Sequence, residues 1–291
     1  MKGREISMRV FALSDIHMDY NGNVLWLEKL SSIDYTDDVL ILAGDISEDL
    51  EKLRRVLSFL RNKFAHVFFV PGNHDLWVRR GECIDSIAKF WRVLNLCTSL
   101  GVQTQATKVG EAVWIIPLFS WYVKPEEGSD SLFTPKEGED PTLKMWSDDY
   151  FTKWMALEEN ITVAAFFLRM NEKHLGKHYD APIITFSHFL PRRDLIFSTQ
   201  AEATGMTVKD ANPSFNFSRV AGCAGLEEQI RRLGSSVHVY GHQHRNRHRL
   251  IDGVLYVSHC LGYPRERERG QIRGLGDGPK MIWDSAMQKK S

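Results

Sequence analysis

The stretch VFFVPGNHDLWV, residues 67–78, decides how this chain is read. Apolar, β-favouring residues from Val67 to Val70 run straight into Pro71-Gly72-Asn73-His74-Asp75, so an amide, an imidazole and a carboxylate follow a tight turn. A short apolar run closed by Pro and Gly reads as a buried strand entering a sharp loop. The strand holds the backbone, the turn re-aims it, and the polar side chains arrive as a rigid group.

The same event recurs along the chain. Met8 to Leu13 ends at Ser14-Asp15-Ile16-His17, and Val39 to Ala43 ends at Gly44-Asp45. Pro182 to Phe186 ends at Ser187-His188, and Val237 to Tyr240 ends at Gly241-His242-Gln243-His244. Between the strands lie segments of helical period. One is Asp49 to Phe64, with Leu50, Leu53, Leu57 and Leu60 on one face; another is Ile84 to Leu100, with Ile87, Trp91 and Leu94 inward. A third amphipathic pattern joins Trp154, Leu157, Ile161, Ala164 and Leu168. Strands alternating with helices predict an α/β fold, in which ligands gather at the carboxyl ends of strands. Every polar block falls there.

Composition adds bounds. The 291 residues are 43% hydrophobic and 25% charged, an ordinary globular balance. Thirty-seven basic and 37 acidic residues cancel, so no global field steers the chain toward nucleic acid or a membrane surface. The longest apolar runs, such as Ala112 to Phe119, fall far short of the ~20 residues of a membrane helix. Cys83, Cys97, Cys223 and Cys260 show no C-x-x-C spacing, and no apolar leader precedes Met8; a reducing, cytoplasmic setting is the expectation.

The expected organisation is one domain over residues 1–291 with insertions at about 120–180 and 189–223 that cap the site. The first opens with a Pro-, Gly- and acid-rich connection from Ser120 to about Tyr150, and connections that long are usually functional. The tail PRERERGQIRGLGDGPK is expected to be loosely ordered toward its end.

The strand ends together carry Asp15, His17, Asp45, Asn73, His74, Asp75, His188, His242 and His244. Carboxylates, imidazoles and one amide oxygen, without thiolate, form a ligand set suited to Mn, Fe or Zn. One tetrahedral zinc uses about four ligands, so the surplus points to two ions sharing a carboxylate and clamping an in-line phosphoryl displacement. Glycines before Asp45, Asn73 and His242 fit strand-to-loop turns that approach an ion closely.

Taken in order, these blocks (D-x-H, G-D, G-N-H-D, a lone His and G-H-x-H) resemble the calcineurin-like metallophosphoesterase family, across residues 15 to 244. The resemblance implies a four-layer αββα sandwich, two central mixed sheets flanked by helices. It implies that two divalent or trivalent ions are held, one by Asp15, His17 and His244, the other by Asn73, His188 and His242, with Asp45 bridging. It further implies that a hydroxide between the ions attacks phosphorus, while His74 protonates the leaving oxygen or stabilises equatorial charge and Asp75 orients His74. Protein Ser/Thr phosphatases of the family follow G-D with a Val-Asp-Arg-Gly type segment and end the third block in Glu. Here Ile46-Ser47-Glu48 and Asp75 stand instead, which disfavours that activity.

The function expected is hydrolysis of a small-molecule phosphoester: a phosphodiester, with a nucleotide-type compound in view, a pyrophosphate or a monoester. The alternatives are a scaffold of the same fold with weak catalysis, or a nuclease; neutral net charge argues against nucleic acid as the partner. Arg245, Tyr263 and Arg265 are candidate substrate contacts. His174 and His178, spaced i, i+4, are read as a solvated surface, and Trp77, Trp121 and Tyr122 as core.

Overall fold

The computed structural model describes residues 7–288 except 80, 82, 156, 159, 198–213 and 277, so most of the second insertion's middle lies outside the described residues. In chain order the elements are β1 (Arg9–Leu13), α1 (Asn21–Glu28), β2 (Val39–Ala43), α2 (Leu50–Arg61), β3 (His66–Val70), α3 (Ser86–Ser99), β4 (Thr107–Val109) and β5 (Val113–Pro117). Then follow α4 (Asp148–Phe151), α5 (Val163–Leu175), β6 (Ile183–Phe186), α6 (Gly225–Leu233), β7 (Val237–Tyr240), β8 (Arg247–Ile251), β9 (Val254–Ser258), α7 (Pro264–Glu268), β10 (Lys280–Asp284) and α8 (Ser285–Gln288).

Two mixed sheets form, ordered β10-β1-β2-β3 and β4-β5-β6-β7-β9-β8. The parallel strands are buried on both faces, which is why they read as unbroken apolar runs. Their two faces serve different layers. Val10, Ala12, Val39, Ile41 and Phe68 point toward Ile115, Ile184 and Val239 of the second sheet. Their neighbours Phe11, Leu13, Leu40, Leu42, Val67 and Phe69 meet Leu53, Val56, Leu57 and Leu60 of α2. On the far face of the second sheet, α5 and α6 bury Phe167, Leu226 and Ile230 in the same core as its strands. The result is the expected αββα sandwich, each fully buried Leu, Ile or Phe contributing ~1.5–3 kcal/mol of transfer free energy.

Local chemistry sets the helix starts. Asp49 caps α2 by accepting from the Glu51 and Lys52 amides, and Asp85 caps α3 through the Ala88 amide. Four expectations are corrected. In α3 Ile87 and Leu94 are buried as expected, but Trp91 is 47% exposed; Phe90, with Val93 and Cys97, takes the inward place because it packs edge-on against Phe119 and Phe167. The third amphipathic pattern is helical only from Val163, since Thr162 supplies the N-cap by accepting from the Ala165 amide. Among the described residues past Tyr263 the chain is built into the fold. α7 is followed by β10, an edge strand pairing antiparallel with β1 and seating Trp283 in the core. His174, expected on a solvated surface, is buried on the inner face of α5, whereas His178 is exposed.

Candidate metal centre

In the first sheet the parallel strands β1, β2 and β3 end together, and so do β6 and β7 of the second. The loops that leave them are laced to one another. Asp15 N donates to Gly44 O (2.9 Å), His17 N to Asp45 O (3.1 Å), and Gly241 N to His188 O (2.9 Å). Two glycines let the loops close: a Cβ on Gly44 would strike the His188 ring, and one on Gly72 would strike the Asp45 carboxylate.

The lacing holds the backbone in an unusual state. Asp15 (φ 51°), His17 (45°), Asp45 (59°), His242 (70°) and His244 (51°) all occupy the left-handed region. Such a conformation is uncommon for residues with a side chain, and its recurrence at one place is a signature of functional geometry. In the region these residues define, three groups of ligating atoms converge: Asp15, His17 and His244; His17, Asp45 and His74; and Asp15, Asp45 and His188.

Distances show how. His17 Nε2 faces His244 Nε2 at 3.0 Å, and His244 Nε2 lies 3.3 Å from Asp15 Oδ1. Asp45 Oδ2 sits 3.5 Å from His188 Nε2 and 3.9 Å from both His17 Nε2 and His74 Nε2. Asn73 Oδ1 lies 3.0 Å from His188 Nε2. His242 stands outside the three groups; its Nε2 meets Val220 O at 3.0 Å, which leaves Nδ1 for ligation, and its amide donates to Asp15 Oδ1.

This donor set fits divalent metal. Imidazole nitrogens aimed at one another and at carboxylate oxygens are an arrangement that a cation between them relieves. Burial, with the neighbouring imidazoles, holds His17 and His242 well below the ordinary imidazole range. Burial, with the charges of Asp15 and Asp75, pushes Asp45 well above the carboxylate range. His244 goes the other way: against the cost of burial, Asp15 and Glu266 raise it to about 10.

The partners behind these candidate ligands were not visible in the sequence. Glu266 Oε2 meets His244 Nδ1 at 2.6 Å and also accepts from the Tyr263 amide at 2.8 Å. Ala43 O meets His188 Nδ1 at 2.8 Å. Asp148, from the first insertion, accepts from Asn73 Nδ2 (2.9 Å) and Trp77 Nε1 (2.7 Å). Asn23, fully buried, donates to the carbonyls of Ile16, His17 and Gly262. Such outer partners fix the orientation of ligating groups.

One expected role is corrected. The Asp75 carboxylate makes its hydrogen bonds not to the His74 ring but to four backbone amides, those of Asp45, Ile46, Ser47 and Gly72, at 2.8–3.0 Å. Burial raises it to about 6 against the pull of those donors. Asp75 therefore clamps the Asp45 loop to the Asn73 loop. Arg245 directs Nη1 at the carbonyls of His244 and Gln271, at 3.4 and 3.3 Å. Arg247 and Arg249 likewise donate to carbonyls of the 194–197 segment.

The remaining candidates gather at the mouth. His74 stacks on Trp77 with centroids 3.7 Å apart, and its Nε2 lies 3.4 Å from Tyr263 Oη. The Tyr263 ring covers His17 (4.6 Å) and His244 (4.9 Å), and the Arg265 guanidinium lies 5.3 Å over Tyr263. Trp121 and Tyr122 are core, as expected, but Trp77 also lines the mouth.

Comparison with known proteins agrees with this geometry. The family profile described as calcineurin-like phosphoesterase matches residues 8–246. The [acyl-carrier-protein] phosphodiesterase PptH of Mycobacterium tuberculosis is 27% identical, the alignment covering 89% of this chain and 79% of that protein. The crystal structure titled phosphopantetheinyl hydrolase (PptH) from the same organism superposes with a TM-score of 0.73 at 24% identity, covering 95% of this chain and 96% of that one. Among the described residues no helix is long and apolar enough to cross a membrane. With the profile spanning every polar block from Asp15 to His244, the chain belongs to the calcineurin-like phosphoesterase family and is a hydrolase of that class.

Proposed function

We propose that the chain is a binuclear-metal phosphodiesterase that cleaves the diester joining a phosphopantetheinyl arm to an acyl carrier protein. The observation that carries the hydrolase reading is the buried Asp/His cluster centred on Asp45 Oδ2, open to solvent past His74 and Tyr263. The substrate is drawn from the mycobacterial relative, and it widens the small-molecule expectation to a protein-attached diester.

In this reading Asp15, His17 and His244 would hold one ion, Asn73, His188 and His242 would hold the other, and Asp45 would serve both. Manganese, iron or zinc bound there supplies Lewis-acid polarisation of the phosphoryl group and a water acidified toward neutral pH. The chain's own residues do the rest. Asp75 and the laced loops fix the ligand backbones, and Asp148 and Glu266 aim Asn73 and His244. His74, clamped between Trp77 and Tyr263, donates its ring N–H where negative charge grows on the phosphoryl oxygens. Water adds its oxygen to phosphorus, the P–O bond to the carrier breaks, the carrier regains its hydroxyl, and phosphate stays on the pantetheine arm.

The test is incubation of a pantetheinylated carrier protein with chelator-stripped, manganese-reloaded enzyme, followed by intact-mass measurement, with Asp45→Asn as control. Loss of the phosphopantetheine mass from the carrier, with free phosphopantetheine appearing, is expected. Cleavage of bis-aryl phosphate with the carrier left intact would keep the diesterase and reject the carrier; cleavage of neither, with metal bound, would favour the scaffold.

A further inference from the structure

Two grooves of different chemistry meet at His74, Trp77 and Tyr263. One, of about 260 Å³, runs past Trp146, Phe215 and Met145 with Arg265 at its mouth, and reaches the ligand Asn73. The other, of about 330 Å³, runs past Asp19, Glu48, Lys52 and Arg79, and reaches the ligand His17. A monoester needs one way out of the metal centre. A diester needs two, one for each arm, diverging at phosphorus.

The first groove sets an aromatic wall opposite the polar side chains of Ser147, Asp148 and Arg265, which suits a slender chain carrying both methyl and amide groups. Trp146 stacks on Phe215 (5.5 Å, 20° between planes) and is pinned by its indole N–H donating to Tyr122 Oη at 2.9 Å. Phe215 is held from below, its carbonyl accepting from Lys136 Nζ at 2.9 Å, while Asp140 N donates to Ser214 O. The two insertions thus make this wall together. Met145, 52% exposed, leaves a deformable apolar surface at its edge. Rigid aromatics of this kind give contact area at small entropic cost.

The second groove is lined by ion pairs, Lys52 with Asp19 at 2.5 Å and Arg79 with Glu48 at 3.5 Å. It continues into a hollow of about 370 Å³ between α1 and α2 that shares Asp19 and Lys52 and has Val24, Leu27, Val56 and Phe59 among its lining residues. A polar trough running onto two helices suits a folded polypeptide rather than a small chain.

We infer that the Trp146–Phe215 groove seats the pantetheine arm of the diester, and that the Lys52–Arg79 groove seats the polypeptide side. This rests on the diesterase reading above. Trp146, Phe215 and Met145 are then specificity residues, whose removal acts on KM for one arm.

The experiment compares two small chromogenic diesters, p-nitrophenyl methyl phosphate and p-nitrophenyl pantetheinyl phosphate, on manganese-loaded enzyme, read as the ratio of their kcat/KM values. Wild type is expected to favour the pantetheinyl ester at least tenfold. Phe215→Ala and the surface change Met145→Glu are expected to collapse that ratio toward one, through KM, with metal content retained. Trp91→Ala, on the exposed face of α3, is expected to keep it. A wild-type ratio near one, or a large ratio that survives both groove variants, overturns the assignment while leaving the diesterase standing. Failure to cleave either ester with metal bound overturns the diesterase reading, and the groove assignment with it.

Discussion

The Asn73 amide donates through Nδ2 to Asp148 Oδ1 at 2.9 Å, which leaves Asn73 Oδ1 turned toward His188 Nε2 at 3.0 Å. An amide can point either of its ends at a cation, and only oxygen ligates; Asp148 makes the choice. Asp148→Ala is therefore expected to weaken the binding of the ion on the Asn73–His188 side by about 10–100-fold. Calorimetric metal titration of the stripped protein, with the first ion's affinity as internal reference, checks it. Equal weakening of both ions would count against it.

Glu266 plays the corresponding part for His244, bonding Nδ1 at 2.6 Å so that Nε2 faces Asp15 and His17. Glu266→Gln is expected to loosen the other ion, again by about 10–100-fold, while leaving the fold intact. Manganese stoichiometry measured across a chelator series reads the loss; unchanged retention would contradict the role.

Asp75 offers a contrast, because its four backbone bonds are structural. Replacing it with Asn puts an NH2 group against N–H donors and leaves some unpaired in a buried site. A stability loss of at least ~2 kcal/mol follows, seen as a lower urea midpoint in metal-free protein. A midpoint equal to wild type would show that the clamp is dispensable.

For His74, stacked on Trp77 at the cluster's edge, the expectation is kinetic. His74→Ala is expected to lower kcat by roughly 10²–10⁴-fold with both ions still bound. Loss of metal in proportion to loss of rate would instead make His74 a ligand.

His238 carries a pH dependence separate from the metals. It is fully buried on β7, between Thr185 Oγ1 (2.9 Å) and Ser187 Oγ (3.1 Å), and burial lowers it to about 3. The unfolded chain, with an imidazole near 6.5, binds the proton first as pH falls. Stability is therefore complete above about 6.5 and is lost progressively down to about 3, on the order of a few kcal/mol. The difference in unfolding free energy between pH 7.5 and pH 5 should be smaller in His238→Gln than in wild type, both in chelator; an equal difference would refute it.

The sequence by itself determined the strands, the alternation of strands with helices and the polar blocks at the strand ends, and the family resemblance supplied the layers. Apolar runs and period are local properties, and an Asp or His placed just past a strand end is carried to wherever that strand ends. What it misread depended on distant partners. Trp91 and Phe90 are neighbours with similar hydrophobicity, and only packing against Phe119 and Phe167 chose Phe90 for the core. Asp75 follows His74 in sequence, yet its oxygens are filled by the amide of Gly72 and by three amides 28–30 residues away. Asp148 and Glu266 stand in polar segments with nothing in spacing or periodicity to mark them, since their task is a hydrogen bond across 75 and 22 residues. Only the tertiary structure decided these roles, because a buried donor or acceptor must take whatever partner the fold brings within 3 Å, and chain order places no such constraint.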